Sequence, residues 1–357
     1  MKRILTYIFI LAVICASCTP RGRYMTFTGY AQGGTYTVKL NLEGVSEKPQ
    51  VIRDSVDALL RQIDLSLSGY NKNSILSRFN AGETVIPDSL FIDIYSHAGN
   101  IYQLTGGMVD VASGPLFDIW GFGFKGGELP ADDLVSQTVA SSGMKRLVTD
   151  MRSVLNHDND TAATLMPEAL LREELRDRTL PKLNYNAIAQ GYSCDVVARY
   201  LYSLGVKDMM VDIGEIFCDG VNPSGLPWTL GVDRPVDGNN ELGAEIQGIF
   251  RVPEGPHGVV TSGNYRKFYI KGGHKYAHTI DPISGYPVEH SLLSATIVAP
   301  DAMFADAYAT YCMVVGLEDA KAFIESDPDL EGCLIYDDNG VFATWTSSGF
   351  VLETPTL

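Results

Sequence analysis

Positive charge is scarce in this chain. Its 27 lysines and arginines stand against 43 aspartates and glutamates, giving a formal net charge of −16 and a pI near 4.7. A surface of that sign repels a phosphate backbone, so nucleic acid is excluded as a partner by the usual electrostatic route. An anionic ligand needs local help instead, from a metal ion or from backbone N–H groups. Cysteine is also scarce, at six residues. Beyond the leader, Cys194, Cys218, Cys312 and Cys333 form no C-x-x-C pair and lie near no histidine at zinc spacing, which predicts four buried thiols. None of the glycine clusters is a G-x-G-x-x-G following a strand or a Walker loop, so nucleotide binding by those routes is unsupported. Gly and Pro are scattered rather than run together, which argues against disorder.

What is present begins with an export signal. Lys2 and Arg3 precede an apolar stretch from Ile4 to Ile14 that is too short for a comfortable membrane span. It ends in Cys15-Ala16-Ser17-Cys18, where small residues precede a cysteine as in a bacterial lipobox. Cys18 is the better lipidation candidate, because bulky Ile14 precedes Cys15. The expected organisation is a lipoprotein signal peptide over 1–17, a tether over 18–28 and one enzyme domain over 29–357. The protein is then exported and lipid-anchored to a bacterial membrane, facing the periplasm. Lipid does the anchoring, since an acidic chain gains nothing from anionic lipid surfaces.

At 357 residues, 45% of them hydrophobic, the chain can bury a large core. Apolar spacing predicts helices over 51–67, 88–105 and 187–204, and another running from an Asp301 cap to about Gly316, with a shorter one over 318–326. Strands are predicted at 36–42, 206–214, 228–233, 246–252, 259–261, 267–270, 292–298, 332–337 and 341–346. Residues 125–180 read as polar and turn-rich. Helices and strands interleave irregularly without a repeat, so the fold class is α+β rather than a doubly wound sheet.

The local chemical signals are modest one by one. Asp306 and Thr310 lie four apart on a predicted helix, so two hard oxygens face one way and could hold Mg²⁺ with water and phosphate. A solvated carboxylate beside a hydroxyl bonded to its own helix gives the same spacing. In HTIDPISGYP, His278 and Asp281 stand three apart before a turn that Pro282 and Gly285 can fix, the kind of loop that displays reactive groups.

In combination these signals form a series. The chain reads QGGTYTV at 32–38, LSGYNKNSILSRFN at 67–80, GGMVDVASGPLFDIWGFG at 106–123, NYNAIAQGYSCDVVA at 184–198 and VDIGEIFCDGVNPSGLPWTLGV at 211–232. It continues with VVTSGNYRKFYI at 259–270, YAHTIDPISGYPV at 276–288 and APDAMFADAYATYCMVVG at 299–316. This series closely resembles the ApbE-type FAD:protein FMN transferases over nearly the whole mature chain. Its most specific parts are H-x-I-D-P-x-(S/T)-G-x-P and the A-D-A-x-A-T helix.

The resemblance implies an ApbE-like α+β architecture of mixed sheets with packed helices. It also implies an enzyme that uses Mg²⁺ to move the FMN half of FAD onto a Ser or Thr hydroxyl of a partner, releasing AMP. It assigns the metal to Asp306, Thr310 and the carbonyl of Ala187. The flavin nucleotide would lie along Gln32, Tyr70, the Met108-Val109-Asp110 turn, Asn184, Gln190 and the backbone near Ile280. His278 would act as base or nucleophile-positioning group, with Asp281 orienting the loop or the histidine. The partners implied are flavin-bearing subunits of membrane redox complexes or other exported flavoproteins. Gln32 stands where the family often has Met, and Asn184 and Gln190 where an acid and a Lys or Glu are common. The stretch from Ile213 to Ile216 is one glycine shorter than the usual form. A Mg²⁺-dependent FAD pyrophosphatase would share the same pocket, and a non-catalytic FAD-binding lipoprotein is the remaining alternative.

Overall fold

The computed structural model has a sheet buried on both faces at its centre, where strand residues are buried almost without interruption. It describes residues 23–122, 129–148, 182–236, 245–265, 268–271 and 274–354. In chain order the strands are β1 (Tyr24–Ala31), β2 (Gly34–Asn41), β3 (Met209–Asp212), β4 (Ile216–Asp219), β5 (Thr229–Asp233) and β6 (Ile246–Arg251). They continue as β7 (His257–Gly263), β8 (Phe268–Lys271), β9 (His274–Ala277), β10 (Leu292–Ala299), β11 (Glu331–Asp338) and β12 (Val341–Thr346). Eight of them form one antiparallel sheet in the order β1-β2-β3-β4-β7-β10-β11-β12, while β5-β6 and β8-β9 are separate ribbons.

Successive residues of the central strands serve opposite cores, as the pleat requires. Phe217, Val260, Ile297 and Leu334 enter the main core. Their neighbours Cys218, Val259, Val298, Cys333 and Ile335 enter a second core on the other face, closed by Leu230 and Phe250 from the β5-β6 ribbon, by Trp228 just before it and by Phe350. All four described cysteines are buried and free, as their spacing predicts.

The helices are α1 (Pro49–Leu67), α2 (Ile75–Asn80), α3 (Ser89–Leu104), α4 (Gly114–Ile119), α5 (Asp132–Ser141), α6 (Ala189–Ser203), α7 (Ala302–Val315) and α8 (Leu317–Ser326). α1 starts on a proline and buries Ile52, Val56, Leu60, Ile63 and Leu67, one stripe at three- and four-residue spacing. α3 is capped by Asp88, whose carboxylate accepts from Phe91 N, and ends before Gly106 and Gly107, both at positive φ. α7 is capped by Asp301, which accepts from Phe304 N. It is buried on nearly all sides, and its alanines let it lie close to β7, β10 and α6.

The helices α6 and α7 cap one another. On α6, the Asp195 carboxylate accepts from Ala302 N and Met303 N, each at 2.9 Å, at the start of α7. On α7, Asp306 accepts from Gly191 N at 3.2 Å in the first turn of α6. Each acid meets N–H groups that a helix cannot satisfy internally. The crossing is so tight that a Cβ at Gly191 would come within 2.2 Å of the Ala302 carbonyl oxygen.

Three sequence readings change. β1 begins at Tyr24, so strand occupies part of the span read as tether over 18–28. α5 lies inside the stretch read as turn-rich, with acidic Asp132 and Asp133 in its first turn favouring its start; residues 149–181 lie outside the described ones. α2, α4, β4 and β9 are short elements that periodicity did not separate from loop. No described helix is long and apolar enough to cross a membrane.

Replacing Asp195 by alanine leaves two buried N–H groups at the start of α7 without acceptors, at a cost of about 1–3 kcal/mol each. Relief of the buried carboxylate offsets only part of that. The expected outcome is a lower Tm for Asp195→Ala in a thermal melt, and an unchanged Tm would show that the cross-helix cap contributes nothing.

Candidate active site

A solvent-open cleft lies at the end of the sheet where β7 finishes. Five chain segments supply its walls, together with Phe117 of α4. Met108 to Val111 and Ser113 follow α3, and Asn184, Asn186 and Ala187 precede α6. Ser262 and Gly263 end β7, His278 to Ile280 and Pro282 form the loop after β9, and Thr310, Met313 and Val314 come from α7.

Each wall is pinned by local chemistry. The Asn80 side chain donates to Leu183 O and accepts from Leu183 N, both at 2.8 Å, so an amide at the end of α2 mimics a strand partner for the 183–187 segment. Asn184 N donates to Val111 O at 2.7 Å, joining two walls. Asp110 accepts from Ala112 N and Met144 N. Burial of this carboxyl raises its pKa to about 6, against the opposing effect of those N–H groups.

The histidine loop is clamped at both ends. Thr279 Oγ1 donates to Asn264 Oδ1 at 2.8 Å, and Val288 N donates to Thr279 O. Trp120 Nε1 donates to Gly285 O at 2.7 Å, its ring stacking on Tyr276 and meeting the edge of Tyr286. Gly285 has φ +80°, and a Cβ there would come within 2.5 Å of Val139 Cγ2, so the turn admits only glycine without movement. Asp281 accepts from Ile283 N through its side chain and Gly285 N through its carbonyl. Its carboxylate therefore braces the turn and does not line the cleft.

Eight of the residues singled out from the sequence line this one cleft: Met108, Val109, Asp110, Asn184, Ala187, His278, Ile280 and Thr310. Asp306 sits one helical turn before Thr310 and is 4% exposed, which removes the solvated-carboxylate reading of the pair. Burial raises its pKa above the ordinary carboxylate range, and the negative charge of Asp195 adds to the rise. Among the described residues no Lys or Arg lines the cleft, and no group of three or more His, Cys, Asp and Glu gathers as a metal cluster. A buried carboxylate with no cationic partner among the described residues, one helical turn from a threonine that lines the cleft together with Ala187, offers hard oxygen donors of the kind that fit a hard cation sharing its shell with ligand oxygens.

Three other expected ligand contacts sit outside the lining. Gln32, at φ 52°, donates from Nε2 to Ser193 Oγ. Gln190 donates to Ile213 O at 3.2 Å and packs against Gly214. Tyr70 is 70% exposed. Cys18 lies outside the described residues. Asn186 falls within the 184–190 loop expected to hold the nucleotide, whereas sequence reasoning missed Val111, Ser113, Phe117, Ser262, Gly263, Thr279, Met313 and Val314. Met313 and Val314 were within reach of it, lying three and four residues after Thr310 on the same helix face.

Fold and cleft define an α+β protein with a ligand cleft beside a buried carboxylate. The chain belongs to the ApbE family, whose model matches residues 32–334. A FAD:protein FMN transferase of Haemophilus influenzae is 29% identical over 366 residues, covering 100% of this chain and 99% of its own length. Another from Vibrio cholerae is 30% identical over 346 residues, covering 95% of each. Among solved structures, the flavin transferase ApbE from Vibrio cholerae superposes with TM-score 0.71 at 28% identity, covering 91% of this chain and 97% of that one. The resemblance drawn from the motif series and the α+β expectation both hold.

The raised pKa of Asp110 makes a pH-dependent contribution. Its folded pKa of about 6 exceeds the ordinary aspartate value of 3.8, so folding takes up a proton between these values. Stability from this group is present below pH 3.8 and is lost as pH rises through about 6. Asp110→Asn removes the titration, so urea unfolding should show the variant gaining on the parent from pH 4 to pH 6.5. Parallel pH profiles would mean that this carboxyl is not perturbed.

Proposed function

We propose that this chain is a Mg²⁺-dependent FAD:protein FMN transferase that places FMN on a Ser or Thr hydroxyl of an exported or membrane flavoprotein. The observation that carries the reading is one cleft shared by His278, Thr310 and Ala187, with buried Asp306 one helical turn before Thr310. Relatives matched over almost their full length are named for this reaction.

The acceptor hydroxyl oxygen forms a bond to the FMN-side phosphorus of FAD, and the bond from that phosphorus to the bridging oxygen breaks. FMN remains on the acceptor as a phosphoester, and AMP leaves with the electron pair. The hydroxyl proton passes to the imidazole of His278, a contribution of about 10²–10⁴-fold for a positioned base. The clamps from Trp120 and Asn264 hold the histidine loop, so its position is set before substrate arrives. Met108, Val109, Phe117, Ile280 and Met313 give a planar ring system an apolar wall. Asp306, the Thr310 hydroxyl and the Ala187 carbonyl would hold Mg²⁺. Bound there, the ion would supply positive charge for the pyrophosphate, since among the described residues no lysine or arginine lines the cleft. Lipid on Cys18 keeps the enzyme at the periplasmic membrane face, where flavin-bearing subunits of redox complexes are within reach.

The test is mass spectrometry of a candidate acceptor domain after incubation with the protein, FAD and Mg²⁺. The expected result is a covalent gain of one FMN that EDTA abolishes. FMN and AMP accumulating with no adduct would replace transfer by pyrophosphatase chemistry, and FAD left bound and intact would leave only a carrier. His278→Ala should retain FAD binding and slow transfer by about 10²–10⁴-fold; equal rates in variant and parent would remove the base assignment. Asp306→Ala should lose both transfer and its stimulation by Mg²⁺, and a variant that Mg²⁺ still stimulates would rule out this ligand.

A further inference from the structure

The end of the sheet opposite the cleft has its own surface character. Tyr24, the first residue of β1, pairs with Asn41, and its hydroxyl donates to Val221 O. Asn41 N donates to Asp208 O, and Val221 N donates to Asp208 Oδ1. The start of β1 and the loop after β4 are therefore tied into one end. That loop reads GVNPSGLP over 220–227, eight residues without a charge on a chain with net charge −16. Asn222 organises it: its side chain accepts from Ser224 N and Leu226 N and donates to Pro227 O. The result is an ordered tip whose Leu226 is 60% exposed and Val221 37% exposed.

We infer that this tip rests on the lipid surface, so that the protein stands on the membrane by its 220–227 loop with the cleft turned away. The inference rests on the reading of Cys18 as the lipidated residue. From Cys18 to Tyr24 the chain can reach at most about 20 Å even when fully extended. The end of the domain carrying Tyr24 is thus held near the bilayer, and among the groups at that end, which include the exposed Glu43 and Glu254, the 220–227 loop is the uncharged stretch with an exposed leucine. A neutral apolar tip suits a lipid interface better than the acidic remainder of the surface does.

Strand directions place the cleft far from this end. β7 starts at His257, paired with Cys218 just before the loop, and finishes at Gly263 in the cleft wall. Its length alone separates the two ends by about 20 Å. An acceptor would then be met on the side facing away from the bilayer.

The test uses full-length lipidated protein on neutral phosphatidylcholine vesicles. A bimane label is introduced through Leu226→Cys, or for comparison through Ile283→Cys on the cleft loop, where the native side chain is 58% exposed. The native described thiols are buried and stay unlabelled. With nitroxide-bearing lipid in the vesicles, the label at 226 should lose most of its fluorescence and the label at 283 should keep it. Protein that co-floats with vesicles but shows no quenching at 226, or equal quenching at both positions, overturns the orientation alone. Protein that fails to co-float overturns the anchor reading and the orientation together.

Discussion

Two buried carboxylates exchanged between α6 and α7 hold the centre of this molecule. Asp195 ties down the first N–H groups of α7, and Asp306 takes one from the first turn of α6. Neither acid is in a comfortable environment: burial lifts the Asp195 carboxyl to about 7, and Asp306 is raised by burial and then by its neighbour's charge. Helix N-termini compensate part of that cost through their aligned peptide dipoles. The exchange fixes the height of α7 against the sheet, which in turn sets Thr310, Met313 and Val314 at the cleft. The residue proposed to bind metal is thus also part of the scaffold.

The sequence was most informative where a local rule and the global packing agree. α1, α3 and α7 were legible because apolar stripes coincide with a proline start, an aspartate cap or a glycine stop. β1 was not, because YMTFTGYA mixes buried and exposed positions without clean alternation and follows directly on the leader. Asp195 escaped notice because its partners are 107 and 108 residues away, and nothing local marks an acid within an otherwise apolar helix face as a cap for another helix. Asp306 and Thr310 were legible as a pair, whereas the burial of Asp306 was not: only the packing of α6 over α7 creates it.

The cleft shows a similar split. Its loops were readable as blocks of glycine, proline and polar residues, and their convergence came from the family resemblance rather than from any spacing. The groups that hold those loops in place, Asn80, Asn264 and Trp120, act across long stretches of chain and carry no local sign of that work. Gln32 and Gln190 go instead to Ser193 and Ile213, which ties the first turns of α6 to the neighbouring β1-β2 turn and to the end of β3.

The main sheet has one more property, concerning the order in which the protein can be built. Its strands stand side by side in the order they occur along the chain. A growing chain can therefore add each new strand to an existing edge and never has to open a closed sheet to admit one. The second core behaves differently. Phe350 stacks on Phe250 with ring centres 4.4 Å apart, and Glu353 exchanges backbone hydrogen bonds with Ile249. These residues follow every strand of the sheet, so the second core is only partly covered by the β5-β6 ribbon until they emerge. During that interval its apolar side is open to any sticky neighbour, and the step most exposed to misassembly is the closing of this face rather than the formation of the cleft.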